Sequence, residues 1–379
     1  MSMTADVLVI GGGIQGCSSA LQIARRGLKV VLVEKNTAGR HASGVNAGGV
    51  RRLLRATPEI PLSVASMRMW HEIEALVGDD CGFKVSGQIA VAEDEAGMAD
   101  LHARAAEVQA LGYAHEELVG PNELFEILPA LSRHCVGGLI ARDDGAASPY
   151  HTTMAFRRAA IAAGVDLREE CRATDFVRKR GIWHVGTSAG PVEAAHLVNC
   201  GGAWAGAVAA ALGEPVPLEP IAPMMMVTSR MAAFVAPVVI GLKRKLSFKQ
   251  MPNGTVLIGG GHRGVPDTEH DRSSVDFRKL ITSARTVADL FPIMRETQIV
   301  RAWSGIESRL PDDIPVLGPS STEEAAYHAF GFSAHGFQLG PIIGSIMADL
   351  VTTGRTVLPI EPFRVTRFRP WAEILSSGG

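Results

Sequence analysis

Apolar and polar positions in the first thirty-five residues follow three successive patterns. An apolar run over residues 7–10 breaks at Gly11, apolar positions then recur at helical spacing over 20–24, and a second apolar run over 30–33 ends at Glu34. Short apolar runs on either side of a helical period are typical of buried parallel strands joined by a helix. The pattern therefore predicts strand, glycine turn, helix and strand.

The glycines of this turn have the spacing that a dinucleotide requires. Gly11 permits the tight turn, Gly13 lets the backbone approach a pyrophosphate, and Gly16 lets the helix pack close to the strand. Glu34, about twenty residues further on, would accept hydrogen bonds from a ribose diol. The alternative is a structural turn with Glu34 as a surface carboxylate. Because the glycines follow a strand, open a helix and are completed by an acidic residue, we predict a dinucleotide site.

The next segments predict a loop, a helix and an inserted unit. Residues 39–52 are rich in glycine and short polar side chains, so they form either a backbone surface for a flat cofactor or a mobile surface loop. A helix is predicted from Thr57, as its cap, through Pro58 to Gly78. Over 79–149 we expect a strand, an amphipathic helix and a second strand, which together resemble a lid-like insertion.

The second half alternates between sheet and helix. A helix over 149–164 precedes four short strands, and the last of them runs into Gly201-Gly202, which is either a second cofactor turn or an ordinary hairpin. From Pro215 onward, β-branched segments predict an antiparallel sheet that forms the roof of a substrate cavity. Met224-Met225-Met226 fits core packing in that sheet. Glycines after 330 place free backbone N–H groups before a closing helix, which suits an anionic cofactor.

Composition narrows the functional class to a small-molecule enzyme. The 379 residues are 46% apolar and 20% charged with a formal net charge of −2, which gives no electrostatic case for nucleic acid or an acidic membrane. No apolar run approaches a membrane span, and the early first strand leaves no room for a signal peptide.

Five scattered cysteines without a CxxC pair predict reduced thiols in a cytoplasmic protein. His71-Glu72 lacks the second histidine of a zinc helix, because Ala75 stands in its place, so no metal site is expected.

Four separated motifs together resemble one family. They are Gly11-x-Gly13-x-x-Gly16 with Glu34, Ala42-Ser43-x-x-Asn46-Ala47-Gly48-Gly49-x-Arg51, Asp312-x-x-Pro315-x-x-Gly318 and the stretch from Gly331 through His335 to Pro341. The chain resembles, nearly end to end, the D-amino acid oxidase-like family of FAD-dependent oxidoreductases. Within it, the chain is most similar to β subunits of heteromeric proline, hydroxyproline, sarcosine and opine dehydrogenases and to the hydrogen cyanide synthase subunit.

The resemblance implies an α/β fold of the glutathione reductase type and a set of site residues. A Rossmann-like FAD-binding domain would comprise residues 1–78, 140–214 and 300–379, and a mixed or antiparallel-sheet substrate domain would comprise 79–139 and 215–299. The implied FAD-binding residues are Gly11, Gly13, Ile14, Gln15, Gly16, Glu34, Lys35, Arg40, Ser43, Asn46, Ala47, Gly48, Gly49, Val177, Gly201, Gly202, Trp204, Gly305, Gly331, Ser333, His335, Gly336, Phe337 and Gln338. The implied catalytic residues are His335, Arg51 and Glu307, and the implied substrate-binding residues are Arg51, His262, Glu307 and Gln338.

Departures from the family pattern bear on the substrate and the electron acceptor. Arg51 matches one half of a carboxylate clamp, but Gln338 stands where the sarcosine oxidase branch has a lysine. Oxidases of that branch also place a lysine over the flavin where this chain has Leu257 or Ile258, which favours a dehydrogenase. Glu307 would suit a cationic amine or a bulkier, more polar substrate.

His41 raises a separate question about the cofactor linkage. It precedes Ala42-Ser43-Gly44, which is similar to the site where dimethylglycine-oxidising relatives attach FAD through histidine. Covalent and non-covalent FAD therefore both remain open.

We expect hydride transfer from the carbon of an amino-acid-like amine to the flavin, giving an imine. An opine, an imino acid or an N-alkyl amino acid would be the substrate, and a partner subunit would carry the electron-transfer centres. The alternatives are a self-sufficient oxidase that makes hydrogen peroxide and a flavin-bearing structural subunit. An NAD-dependent enzyme is disfavoured, because the C-terminal glycine motif would have no role in it.

Overall fold

The computed structural model describes residues 3–369 and residue 371, and it contains two eight-stranded sheets. The first half of the chain contributes the strands β1 Met3–Ile10, β2 Val30–Val33, β3 Gly49–Val50, β4 Lys84–Val85, β5 Gln88–Ala92, β6 Glu117–Val119, β7 Gly137–Ala141, β8 Gly145–Ala146, β9 Asp166–Arg168, β10 Ala173–Lys179 and β11 Ile182–Thr187. The second half contributes β12 Val192–Asn199, β13 Glu219–Ile221, β14 Met224–Thr228, β15 Val238–Gly241, β16 Ser247–Gln250, β17 Val256–Gly259, β18 Val265–Asp267, β19 Arg272–Ser274, β20 Ile299–Ser304, β21 Glu307–Arg309, β22 Val316–Pro319 and β23 Ala326–Phe330. The helices are α1 Ile14–Ala24, α2 Ala42–Val45, α3 Ile60–His71, α4 Ile73–Val77, α5 Glu95–Ala110, α6 Pro121–Ile127, α7 Pro149–Ala162, α8 Ala205–Ala211, α9 Phe277–Leu290 and α10 Gly336–Thr353.

The first sheet is built around the N-terminal strand. Strand β1 pairs in parallel with β2 on one side and β12 on the other, and β23 continues the parallel set beyond β12. Helix α1 returns the chain from β1 to β2, as the hydrophobic pattern predicts. Helices α1, α7 and α10 cover one face of the sheet, where the core includes Val7, Leu21, Phe156, Ile343 and Ile346.

The second sheet forms the roof of the cleft, in the order β20-β14-β17-β16-β15-β5-β7-β6. Its pairs are antiparallel except for β15 with β5, so the sheet is mixed. Strands β5, β6 and β7 of the predicted lid-like insertion complete this sheet, next to the strands from residues 215–299. Residues 224–226 are buried in β14, as expected for core packing.

The two sheets also bear on the predicted domain boundaries. Strand β7 crosses residue 140, and β20 runs from Ile299 to Ser304, yet both strands belong to the roof sheet. The limits drawn at 140 and 300 therefore cut through strands, because the hydrophobic pattern of one strand does not reveal which sheet it joins. Residues 1–2, 370 and 372–379 of the first predicted domain lie outside the described residues.

The helix expected from Thr57 begins differently. A 3₁₀ turn over Thr57–Glu59 precedes α3, and the residue before that turn is Ala56. Thr57 is not the cap, since its hydroxyl donates to Glu107 Oε1 over 2.6 Å. The helical stretch also breaks at Glu72 before α4.

Two further observations concern membranes and metals. No helix among the described residues combines the length and the apolar character needed to cross a bilayer. Glu93, His134 and Asp289 bring three potential metal ligands together. Arg244 forms ion pairs with Glu93 and with Asp289, so an arginine already neutralises this exposed acidic group.

Candidate active site

A cleft with a cavity volume of about 790 Å³ lies beneath the roof sheet, and residues of both sheets line it. The volume is in the range of cofactor and small-molecule sites. Most of the residues predicted to bind FAD or substrate line this cleft: Gly11, Gly13, Ile14, Gln15, Glu34, Lys35, Arg40, Ser43, Asn46, Ala47, Gly48, Gly49, Arg51, Gly201, Gly202, Trp204, Gly305, Glu307, Ser333, Gly336 and Phe337.

The glycine turn has the close contacts that only glycine allows. Gly11 has φ +102°, and a Cβ there would lie 2.4 Å from the carbonyl oxygen of Cys200. A Cβ on Gly16 would lie 1.8 Å from the carbonyl oxygen of Gly11, so Gly16 serves close packing of the helix on the strand. The N-terminus of α1 opens toward Ser43, whose Oγ accepts a hydrogen bond from the Ile14 N–H over 3.0 Å.

The Glu34 carboxylate is held in place at the end of β2. Its Oε2 accepts a hydrogen bond from the Gly12 N–H over 2.7 Å, and its Oε1 accepts one from the Asn36 N–H over 2.8 Å. Burial raises the pKa of Glu34, while these hydrogen bonds oppose the rise. The acidic residue and the glycine turn therefore form one rigid unit.

A hairpin of strands β18 and β19 reaches this end of the cleft. Its Asp271 forms an ion pair with Lys35 and accepts a hydrogen bond from Asn36 Nδ2 over 3.1 Å. The Lys35 ammonium lies 3.3 Å from the ring centroid of Trp204, and Trp204 Nε1 donates to the carbonyl of Thr268 over 3.1 Å. These contacts join the glycine-turn motif to the hairpin, and we call Lys35, Asn36, Trp204, Thr268 and Asp271 the hairpin clasp.

His41 lies beside this clasp. Its ring centroid is 4.6 Å from that of Trp204, and its Nε2 is 3.2 Å from Asn36 Nδ2. Burial lowers the pKa of His41 to about 4, with Lys35 as a second cause. The ring is therefore neutral at pH 7.

The glycine-rich loop is an ordered wall of the cleft. Asn46 closes it by donating to the carbonyls of Ala42 and Ser43 and by accepting from the Gly48 N–H over 2.7 Å. Trp303 Nε1 donates to the carbonyl of Val45 over 2.9 Å. The side chain of Asn46 and strand β20 thus fix the loop, which is one of the two forms that the sequence left open.

Arg51 and Arg52 have different surroundings at the end of that loop. Arg51 lines the cleft, and its Nη1 donates to the carbonyl of Leu53 over 2.6 Å. Burial lowers the pKa of Arg51, but a guanidinium stays protonated at neutral pH. Arg52 is bound to the buried carboxylate of Asp144, with Nε 2.9 Å from Oδ1. Of the two, Arg51 is the cation that faces the cleft.

Glu307 faces the same cleft from β21. Its Oε1 accepts a hydrogen bond from the Ala334 N–H over 2.5 Å, where Ser333 and Ala334 both have positive φ. Burial raises the pKa of Glu307 to about 7. A carboxyl group that titrates near neutrality can accept a proton from an ammonium substrate.

His335 precedes α10 and belongs to a buried polar network. Its Nδ1 lies 2.7 Å from Oε2 of Glu59, a carboxyl whose pKa is lowered by His335 and by the neighbouring arginines against the opposing effect of burial. Burial and Arg55 together lower the pKa of His335 itself to about 4. The ring is therefore neutral, with Nδ1–H donated to Glu59.

Gln338 belongs to this network and is fully buried. Its Oε1 accepts a hydrogen bond from Arg55 Nη2 over 3.3 Å, and its Nε2 donates to the carbonyl of Ser63 over 2.8 Å. All of these partners are protein groups, so the structure gives Gln338 a place in the packing of α10 on α3.

Six predicted site residues do not line the cleft: Gly16, Val177, His262, Gly331, His335 and Gln338. For Val177 the reason is the two-residue repeat of a strand, since Phe176 faces the cleft while Val177 is 44% exposed. Gly331 packs under Leu310, whose Cδ1 would lie 2.4 Å from an added Cβ. For His262, the neighbours Gly261 and Arg263 line the cleft instead.

The sequence prediction missed Lys249 on β16. Its side chain is 6% exposed, and its Nζ lies 3.1 Å from the position of a Cβ on Gly48. Lys249 is the cross-strand partner of Leu257, so both side chains lie on the face of the roof opposite the core residue Ile258, although neither lines the cleft itself. Strand β16 reads Ser247-Phe248-Lys249-Gln250, with Phe248 as its one apolar residue, so no apolar pattern singled out Lys249.

The profile of one protein family, described as FAD dependent oxidoreductase, matches residues 6–350. The chain belongs to this family. Glycine oxidase of Geobacillus kaustophilus is 27% identical over 97% of this chain and 98% of its own length. The hydrogen cyanide synthase subunit HcnC of Pseudomonas aeruginosa is 26% identical over 98% of both chains. The solved structure of L-proline dehydrogenase from P. horikoshii superposes with a TM-score of 0.91 at 26% identity, covering 98% of this chain and 99% of that one.

This FAD-dependent oxidoreductase has the predicted α/β fold and FAD as its cofactor, so these two predictions are confirmed. The residues present fit the cofactor. Gly11, Gly13 and Gly16 leave room where side chains would block the turn, and the buried Oε1 of Gln15 on the cleft wall has no partner among the described residues.

Proposed function

We propose that this oxidoreductase is a dehydrogenase that oxidises the C–N bond of an opine, an imino acid or an N-alkyl amino acid to an imine. The supporting observation is that Arg51 and Glu307 line one cleft together with the glycine-rich loop. Arg51 offers a buried guanidinium for a carboxylate, and Glu307 offers a carboxyl group that titrates near pH 7 for the amine.

Each residue then has a defined task. Arg51 binds the substrate carboxylate and fixes its orientation, while the roof sheet keeps water out of the cleft. Glu307 Oε2 takes a proton from the substrate ammonium, because only the neutral amine can give up hydride from the adjacent carbon. When bound, FAD accepts that hydride. His335 was predicted to be catalytic, but it does not line the cleft, so we assign the proton to Glu307 and a structural role at the start of α10 to His335.

The acceptor, the partner and the location are further parts of the proposal. The resemblance places Leu257 or Ile258 where related oxidases have a lysine, which supports electron transfer to something other than oxygen. The chain has no CxxC pair, so an iron–sulfur relay would be carried by a partner subunit. All five cysteines are free and buried, which supports a cytoplasmic location.

Because Asn36 binds the His41 ring, we further propose that FAD is not covalently linked to His41, so that acid precipitation releases it.

A self-sufficient oxidase is the second candidate, and Lys249 favours it. Its amine lies on the cleft side of the roof beside Leu257, so a cation is present near the position where those oxidases have one.

The test is anaerobic mixing of the FAD-loaded protein with opines, proline, hydroxyproline, sarcosine and D-amino acids, followed by admission of air. Bleaching of the flavin by one class, with slow recovery in air, supports the dehydrogenase. Fast recovery with hydrogen peroxide supports the oxidase. Flavin that none of these amines reduces would contradict both and leave a structural subunit.

A further inference from the structure

Lys249 is a buried lysine without a counter-ion. It is 6% exposed, no hydrogen bond or ion pair of its side chain occurs among the described residues, and its Nζ keeps a little accessible surface. Burying an unpaired ammonium is costly, and a folded protein retains such a group where something else compensates for it. Its position therefore requires a functional explanation.

The location of the amine indicates which group compensates for it. Ser247 lines the cleft, and Lys249, two residues further along β16, points to the same side. Its Nζ lies against Gly48, in the loop that forms one wall of the cofactor cleft. The groups packed against it from the neighbouring strand and from the loop, Leu257 and Gly48, are uncharged.

We infer that Lys249 sets the charge beside the bound flavin and stabilises the reduced, anionic ring relative to the oxidised, neutral one. This inference goes beyond the proposed function and rests only on FAD binding. Charge close to the flavin nitrogens is one of the few means by which a protein tunes this cofactor. In a site of low polarity, one ammonium close to the ring would have a large effect.

The side chain is suited to this role because its charge can change within the working pH range. Burial lowers the pKa of Lys249 to about 8 and is the one cause of the shift. The amine is therefore protonated at pH 6.5 and largely neutral at pH 9.5 in the oxidised enzyme. Reduction adds a negative charge nearby, so the amine then takes up a proton again.

The experiment measures the reduction potential of bound FAD by equilibration with a dye between pH 6.5 and 9.5. At pH 6.5, Lys249→Met should destabilise the reduced flavin about tenfold, which is about 30 mV for a two-electron couple. The difference in reduction potential between Lys249→Met and the wild type should become smaller above pH 8. Lys249→Arg should keep the wild-type potential at pH 6.5 and show no change of slope near pH 8, because arginine stays protonated.

Lys179→Met is the matched control, because Lys179 is an exposed lysine on β10 and should leave the potential unchanged. Circular dichroism and the flavin spectrum establish that each variant is folded and loaded, and Lys249→Gln replaces Lys249→Met if that variant does not fold. Wild-type potentials in both neutral variants across the whole pH range would overturn the inference. The measurement needs no amine substrate, so its failure is distinct from failure of the proposed function.

Discussion

His335 donates a hydrogen bond from Nδ1 to Oε2 of Glu59 over 2.7 Å, and this contact connects the start of α10 to the turn before α3. Because Glu59 is a buried carboxylate, Nδ1 must carry the proton and Nε2 must carry the lone pair. Glu59 is thus a positioning residue that selects the tautomer of His335.

Replacing Glu59 by Leu should allow the His335 ring to adopt either tautomer. We expect nitrogen NMR of labelled histidine to show both tautomers of His335, and the unfolding free energy to fall by about 1–3 kcal/mol because a charge-assisted hydrogen bond is lost. Glu126→Gln changes an exposed carboxylate on α6 and should alter neither quantity. An unchanged tautomer in Glu59→Leu would show that other contacts orient the ring.

Buried neutral histidines should make the protein less stable in mild acid. The pKa of His335 and that of His41 are both lowered to about 4, so below about pH 6.5 the unfolded chain binds protons that the folded chain does not. Stability should therefore fall as the pH drops from 6.5 towards 4. Urea unfolding at pH 7.5 and pH 5 measures this loss, and His335→Gln should reduce it. Equal stability at both pH values would contradict the assignment of neutral rings.

Arg51→Met should weaken the binding of carboxylate ligands. Losing a charged pair costs about 1.5–3 kcal/mol, so the dissociation constant should rise about 10- to 100-fold. Titration with an unreactive carboxylate, followed by the flavin spectrum, measures the change. Arg52→Met removes the side-chain ion pair with Asp144 and should lower stability more than affinity. Equal losses of affinity in both variants would argue against a specific anchor at Arg51.

Glu307→Gln should remove a pH-dependent step. In the wild type, the rate of anaerobic flavin reduction should rise through about pH 7, because the Glu307 carboxylate forms there. In the variant, the rate of flavin reduction should be about 100-fold lower and should show no ionisation near pH 7. Stopped-flow rates between pH 5.5 and 9 give both profiles. An unshifted profile in the variant would assign the ionisation to another group, such as the substrate amine.

The hairpin clasp should slow the release of FAD. Asp271→Ala removes the ion pair with Lys35 and the hydrogen bond from Asn36, so we expect FAD to dissociate about tenfold faster, which corresponds to about 1.4 kcal/mol. The recovery of free FAD fluorescence after dilution measures the rate. Arg272→Ala changes the next residue, which binds Asp267 of the same hairpin, and should leave the rate unchanged. Equal rates in Asp271→Ala and the wild type would show that the clasp does not restrain the cofactor.

The sequence by itself determined the cofactor half of the protein. The turn from Gly11 to Gly16 and the acidic residue Glu34 that ends the next strand are local features, because each depends on backbone geometry within a few residues. Their roles could therefore be predicted from spacing alone. The apolar periods likewise predicted strands β1 and β2 and helices α1 and α7 near their observed bounds.

Only the tertiary structure decided which side chains meet across long separations. Lys249 and Gly48 are two hundred residues apart, and Glu59 and His335 still further, so no local pattern links them. The register of β16 against β17 decides that Leu257 and Lys249 share the cleft side, and burial decides that Gln338 binds Arg55 and Ser63. Local spacing specifies the turns and the helical or strand periods of the sequence. Which charged side chains surround the cofactor is decided by strand register and burial, because register and burial depend on the packing of the whole chain.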